Sequence, residues 1–258
     1  MKVIGIVGEY NPFHFGHAYH IEESRKAAGE DSAVVCVMSG DFVQRGEAAL
    51  YSKFARAEAA CRSGADLVLE LPLPWSLSSA EGFARGALGI LGNLGIVDTL
   101  SFGSECGSAD ALSRTAELLL KPETDERIRR ELKENEGISF AAARQRALAH
   151  FDGDLALLLE SPNNILGVEY IKAIYEQSLD ITPVTVMRLG AGHDAHGAAL
   201  PRSASEIRRR IKAKNDADGD IPSAALEVYE RERRLGRGPV FDDALEIAVL
   251  SRLRMLPK

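Results

Sequence analysis

Four apolar runs of strand length punctuate the first 104 residues, and a segment of helical character follows each. They are "VIGIV" (3–7), "AVVCVM" (33–38), "DLVLELP" (66–72) and "VDTLSFGS" (97–104). Runs this short, β-branched and apolar, read as buried strands. Strand alternating with helix over short connections specifies a parallel sheet covered by helices on both faces. The spacing therefore predicts an α/β, Rossmann-like fold. A fifth strand-like run, "TPVTVMRLG" (182–190), comes much later.

Between the fourth and fifth runs the character changes. "SADALSRTAELLL", "ETDERIRRELKENEG" and "SFAAARQRALAHF" read as successive helices. This predicts a nucleotide-binding domain in two pieces, 1–107 and 160–214, with a helical insertion at 108–159. Residues 215–258 form a helical C-terminal segment, with its helix over 223–256.

Composition narrows the function classes. With 45% hydrophobic and 27% charged residues over 258, the chain reads as an ordinary globular protein. Its start, "MKVIGIVGEYNPF", is interrupted by Glu9, which fits neither a signal peptide nor a membrane span, and no later apolar run reaches membrane length. No membrane partner is expected. Cys36, Cys61 and Cys106 are odd in number, widely spaced and without a CxxC, which reads as reduced thiols in a cytoplasmic protein. The net charge of −7 argues weakly against nucleic acid as a partner, yet 200–258 carries 13 Lys and Arg against 10 Asp and Glu. That imbalance permits a local phosphate-facing surface.

In open parallel sheets, ligands bind at the carboxyl ends of strands, where the strand order reverses. "GEYNPFHFGHAYHI" (8–21) lies at such an end. Gly16 lets the backbone approach a ligand, and a helix starting near His17 aims unpaired N–H groups at it. His14 and His17 there can hydrogen-bond phosphate oxygens and stabilise charge at phosphorus. The rival reading of His14, His17 and His20 as a zinc ladder, with His193 and His196 further on, lacks a nearby cysteine. It also leaves His14 outside the helix, so no metal site is expected. For His20, packing explains the residue as well as ligand contact does. Far along the chain, "RSASEIRRRI" (202–211) sets Ser203, Ser205 and Arg208 at another helix start. Hydroxyls, helix N–H groups and a guanidinium make a phosphate cradle, although an N-cap with a basic face reads equally well for that segment alone. Arg209, Arg210, Lys212 and Lys214 read as a solvated face or as an RNA contact. Trp75, beside prolines, reads as packing.

H-x-G-H after the first strand and the late S-x-S-x-x-R resemble the HIGH-motif nucleotidyltransferases. "EYNPFHFGHAYHI", "MSGDFVQRGEAALYSKFARAEAACRSGADLVLELP", "LSFGSE" and "SPNNILGVEYIKAI" together are similar to the tRNA(Met) cytidine acetate ligase family, in order and from Met1 to about Arg210. Phe15 and Asp41 stand where that family commonly has Asn, and the chain ends at "SRLRMLPK", short of most members.

The resemblance implies a ligase that activates acetate with ATP as acetyl-adenylate and acetylates N4 of the wobble cytidine of elongator tRNA(Met). It assigns catalysis to His14, His17, Ser203, Ser205 and Arg208. The ATP site would be lined by Val7, Gly8, Glu9, Tyr10, Asn11, Pro12, Phe13, His14, Gly16, His17 and His20, and touched by Gly103, Asn163 and Arg188. Mg2+ would accompany the triphosphate. Asp41, Gln44, Arg45 and Lys53, in the polar loop after the second strand, are candidates for closing over the acyl-adenylate. The alternatives are an adenylyltransferase acting on a small metabolite, and a non-catalytic protein that binds ATP or RNA.

Overall fold

A computed structural model describes residues 1–44, 46–188 and 202–256. In chain order the elements are β1 (Lys2–Gly8), α1 (Phe15–Ala28), β2 (Ser32–Ser39), α2 (Lys53–Arg62), β3 (Leu67–Leu71), α3 (Leu73–Ser76), α4 (Ala80–Asn93), β4 (Thr99–Ser104), α5 (Ala109–Leu119), α6 (Pro122–Glu134), α7 (Phe140–Ala149), α8 (Gly153–Leu157), α9 (Pro162–Glu176), β5 (Thr182–Met187), α10 (Ala204–Lys212), α11 (Ser223–Arg234) and α12 (Asp242–Arg254).

The five strands form one sheet in the order β3-β2-β1-β4-β5, and every neighbouring pair is parallel. The chain steps outward from β1 to β3, then returns past β1 to place β4 on its other side. That reversal leaves a crevice beyond the carboxyl ends of β1 and β4. Both faces are buried over β1, β2 and β4, as their runs predict, whereas the edge strands β3 and β5 are half-exposed and Leu71 is their one buried residue, because an edge strand has a neighbour on one side alone. Val35 and Val37 of β2 pack with α4, α5 and α9, while Val34, Cys36 and Met38 pack on the other face with α1, α2, α10 and α11. This is the period of two expected of a strand covered twice. Gly5 brings α4 onto β1: a Cβ there would stand 2.8 Å from Leu91 Cδ1.

Two helix expectations need correction. The helix over 223–256 is two helices, α11 and α12, parted by Leu235 to Phe241. Gly236 at φ 66° and Pro239 break it, because neither continues a right-handed helical backbone with its hydrogen bonds. The first helix begins at Phe15, two residues earlier than expected, with consequences for the site. No helix among the described residues is long and apolar enough to cross a membrane.

Candidate active site

The crevice holds a cleft of about 830 Å3, walled by the segment after β1, the start of α1, the ends of β4 and β5, and the first turns of α9 and α10. Val7, Gly8, Glu9, Tyr10, Asn11, His14, Gly16, His17, His20, Gly103, Asn163, Arg188, Ser203, Ser205 and Arg208 all line it, drawn from both ends of the chain. Pro12 and Phe13 do not. Phe13 is fully buried in the core, where its N–H donates to the Tyr229 hydroxyl at 2.9 Å, so it anchors the loop from behind. Tyr10 also packs inward, donating its hydroxyl to Cys36 Sγ at 3.0 Å. Asn11 is buried. Its Oδ1 accepts from Leu50 N–H at 2.8 Å, and its Nδ2 has no partner among the described residues, a donor of the kind an anionic ligand satisfies.

His14 is the N-cap of α1. Its Nδ1 accepts from Gly16 N–H at 2.9 Å, and His17 Nδ1 accepts from His14 N–H at 3.2 Å, a reciprocal box built from two imidazoles. The rings lie 3.9 Å apart between centroids. With both Nδ1 atoms accepting, each neutral ring carries its proton on Nε2. This corrects two expectations. The Gly16 N–H is taken by the His14 ring rather than offered to a ligand. Gly16 is needed for that ring, since a Cβ would stand 2.7 Å from His14 Cε1. His20 is tied to the sheet: its Nε2 lies 3.0 Å from Ser101 Oγ on β4, which also meets Ser24 Oγ at 2.7 Å. No group of three His, Cys, Asp or Glu among the described residues could hold a metal ion. His193 and His196 lie outside the described residues.

All three imidazoles are neutral at pH 7. Burial, and then the charge of Arg188, pull His14 and His20 each down to about 4. Burial holds His17 well below its usual range, helped by His14, His20 and Arg188. In the unfolded chain the same rings titrate near ~6.5. Their contribution to stability is therefore complete above about pH 6.5 and lost as pH falls towards 4. Each steepens the acid loss by up to about 1.4 kcal/mol per pH unit. In urea unfolding between pH 7 and pH 5, His20→Asn should lose stability less steeply than the wild type by about that amount. Parallel slopes would show that His20 is not held neutral.

The opposite wall is a loop held by acid–amide contacts. Asn163 Nδ2 donates to Glu105 Oε1 at 2.6 Å, and Asn164 N–H to Glu105 Oε2 at 2.9 Å. Asn164 Oδ1 in turn accepts from the N–H groups of Glu105 and Cys106 at 3.0 and 3.1 Å. Asn163 thus lines the cleft with its amide already engaged. Glu105 and Asn164 were not singled out by sequence reasoning, although both sit inside "LSFGSE" and "SPNN". Arg188 follows β5 and donates its N–H to Ser104 C=O at 3.0 Å.

At the start of α10, Ser203 Oγ accepts from Glu206 N–H at 3.2 Å, so it caps the helix, and Ser205 remains the hydroxyl freer to meet a ligand. Arg208 reaches across to Asn11 C=O at 3.0 Å and Glu47 Oε2 at 3.1 Å.

The loop after β2 divides. Gln44 lines the cleft, its N–H donating to Glu9 Oε1 at 2.8 Å. Asp41 and Lys53 do not line it. Asp41 Oδ1 accepts from Lys53 N–H at 2.8 Å, and Lys53 Nζ pairs with Glu70 at 2.6 Å, so both are spent on joining α2 to the strand ends. Arg45 lies outside the described residues. Trp75 packs across α4 against Gly86, as its setting predicts.

Arg56, inside the alanine-rich "FARAEAA", was missed altogether. It is completely buried, and its guanidinium donates to the carbonyls of Tyr51 at 3.0 Å and Ser39 at 3.1 Å, and also to those of Glu9 and Gly40. It ties together the carboxyl ends of β1 and β2 directly behind the cleft. The one signal was a cation among small helix formers.

The cleft thus presents donors: two Nε2–H groups, the guanidiniums of Arg188, Arg202 and Arg208, of which Arg202 is paired with Asp220 at 2.8 Å, and the first turn of α10. Such a site suits a polyanion.

A family model for HIGH nucleotidyl transferases matches residues 1–258. A tRNA(Met) cytidine acetate ligase of Acetivibrio thermocellus is 42% identical, over 99% of this chain and 64% of its own length. One from Syntrophotalea carbinolica is 46% identical, over 90% of this chain and 56% of its own. The crystal structure of Thermotoga maritima TmcAL bound with alpha-thio ATP superposes with a TM-score of 0.85 at 40% identity, over 93% of this chain and 58% of that one. The apo form superposes at 0.89 and 38% identity, over 100% and 63%. The chain therefore spans somewhat under two thirds of the length of these relatives. A switch-point cleft rich in donors and a family match across the whole sequence agree, and the chain belongs to the HIGH nucleotidyl transferase family.

Proposed function

We propose that the cleft binds ATP and that the protein activates acetate as acetyl-adenylate, then transfers the acetyl group to N4 of the wobble cytidine of elongator tRNA(Met). The observation that carries this reading is the ring of donors around one cleft, with Glu9 and Glu47 as its carboxylates and each already engaged, by Gln44 N–H and by Arg208. Such a site tolerates a triphosphate and stabilises charge that builds at phosphorus. The relatives' names and the ATP analogue bound to the Thermotoga maritima protein support the same substrates.

In the first step an acetate oxygen attacks the α-phosphorus, and the bond from that phosphorus to the β-bridging oxygen breaks, releasing pyrophosphate. His14 and His17 donate Nε2–H to the α-phosphate oxygens. Arg208, Ser205 and the first turn of α10 hold the β- and γ-phosphates, and Arg188 stands over the nucleotide. In the second step cytidine N4 attacks the acetyl carbonyl, AMP leaves, and N4 gives up a proton. Adenylyl transfer asks the protein mainly for positioning and charge stabilisation. Mg2+ would accompany the triphosphate and neutralise part of its charge. The acceptor is a cytoplasmic RNA, which assigns the reaction to the cytoplasm.

Incubation with ATP, acetate and labelled pyrophosphate tests the first step: label should enter ATP only when acetate is present. Exchange without acetate dependence overturns acetate activation. Nucleoside mass spectrometry of methionine tRNA tests the second, with N4-acetylcytidine expected. Acetate-dependent exchange with no acetylcytidine assigns the acyl group to another acceptor.

A further inference from the structure

Beside the nucleotide cleft lies a second one of about 390 Å3, between α10 and the segment that enters α12. The two share Glu47 and Arg208, so the 3.1 Å ion pair of these residues stands between them. Val240 N–H donates to Leu50 C=O at 2.8 Å and fixes the far wall. Ala48, Leu50, Ala213 and Val240 make the lining largely apolar, with the ring of Phe241 half-buried among them. The rim is mixed in charge: Asp242 lines it, and Lys212 Nζ, 5.8 Å from the Phe241 ring centre, pairs with Asp243 at 3.1 Å. Arg209 is exposed with no ion pair among the described residues and is the cation left to meet a ligand there.

A free anion such as pyrophosphate would meet Arg209 but leave the apolar lining unused. A purely apolar ligand would leave Arg209 unanswered. A nucleotide uses both, because every base has a face to stack on an aromatic ring and every link a phosphate for a guanidinium. The volume suits a ligand of that size.

We propose that this second cleft seats one unpaired nucleotide of the RNA acceptor, next to the cytidine that enters the nucleotide cleft. Its base lies against Phe241 and its phosphate on Arg209, while the Glu47–Arg208 pair separates RNA backbone from ATP phosphates. This rests on the reading of an RNA acceptor above.

Fluorescence anisotropy of the full chain with a labelled transcript of elongator methionine tRNA tests it. Arg209→Gln should weaken binding at 0.1 M salt severalfold and lower the slope of affinity against salt by about one. Phe241→Leu should weaken it by about tenfold, with Phe241→Tyr restoring it. Acetate-dependent pyrophosphate exchange without RNA should be unchanged in Arg209→Gln. If the wild type binds the tRNA and these variants bind it equally well, the second cleft is not its site, and the acceptor reading stands. If the wild type binds no tRNA, the acceptor reading and this site fall together. If Arg209→Gln slows exchange without RNA as much as it weakens RNA binding, Arg209 serves the nucleotide cleft and the proposal is overturned.

Discussion

Replacing His17 with asparagine should slow acetate-dependent pyrophosphate exchange by about 10²–10³-fold, the usual cost of one donor lost from developing charge. The imidazole has two jobs on two atoms. Nδ1 accepts from His14 N–H at 3.2 Å, and Nε2 carries the proton available to the cleft. Asparagine keeps an acceptor near the Nδ1 position and removes the outer donor, so the helix start survives and the chemistry does not. His17→Gln separates the roles in the other direction. Its amide reaches the outer position, so more exchange should remain, while the lost cap costs about 1 kcal/mol of stability. Steady-state exchange and urea unfolding of both variants read the two effects independently. Asparagine at wild-type exchange rates would remove His17 from the phosphate site.

Arg56→Met should cost about 3–5 kcal/mol of stability, the scale for stranding buried polar partners. Methionine fills most of the volume but leaves the carbonyls of Glu9, Ser39, Gly40 and Tyr51 without their shared donor. Burial already pushes the guanidinium's own pKa down, so the charge is tolerated there for its hydrogen bonds. Since Glu9, Ser39 and Gly40 lie at or just beyond the ends of β1 and β2, the KM for ATP should rise in whatever fraction stays folded. Arg56→Lys keeps the charge without the planar fork and should fall between the two. Urea unfolding followed by far-ultraviolet circular dichroism measures the loss. A loss below about 1 kcal/mol would mean the carbonyls find other donors.

The strands were legible because burial on both faces writes itself locally: "AVVCVM" is apolar at every position and has room for little else. The candidate cleft was legible for a related reason. "HFGH" sits at a strand end and "SASEIRR" at a helix start, and the switch between β1 and β4 brings such ends to one crevice. Local patterns misread the partners. Asp41 and Lys53 looked available for a ligand, yet they pair with α2 and with Glu70 on β3. Gly16 looked like room for a ligand and is room for the His14 ring.

By itself, then, the sequence determined the alternation of strand and helix, the burial of the central strands, and that "HFGH" and "SASEIRR" stand at element ends, because periodicity and turn chemistry are properties of neighbours along the chain. Gly103, Asn163 and Arg188 were placed at the crevice by family resemblance alone. Only the tertiary structure decided the His14–His17 box, the Glu105 clasp on Asn163 and Asn164, and the four carbonyls on Arg56. A side chain's hydrogen bonds depend on which groups the fold leaves within 3 Å or so, and nothing in the spacing of residues states that distance.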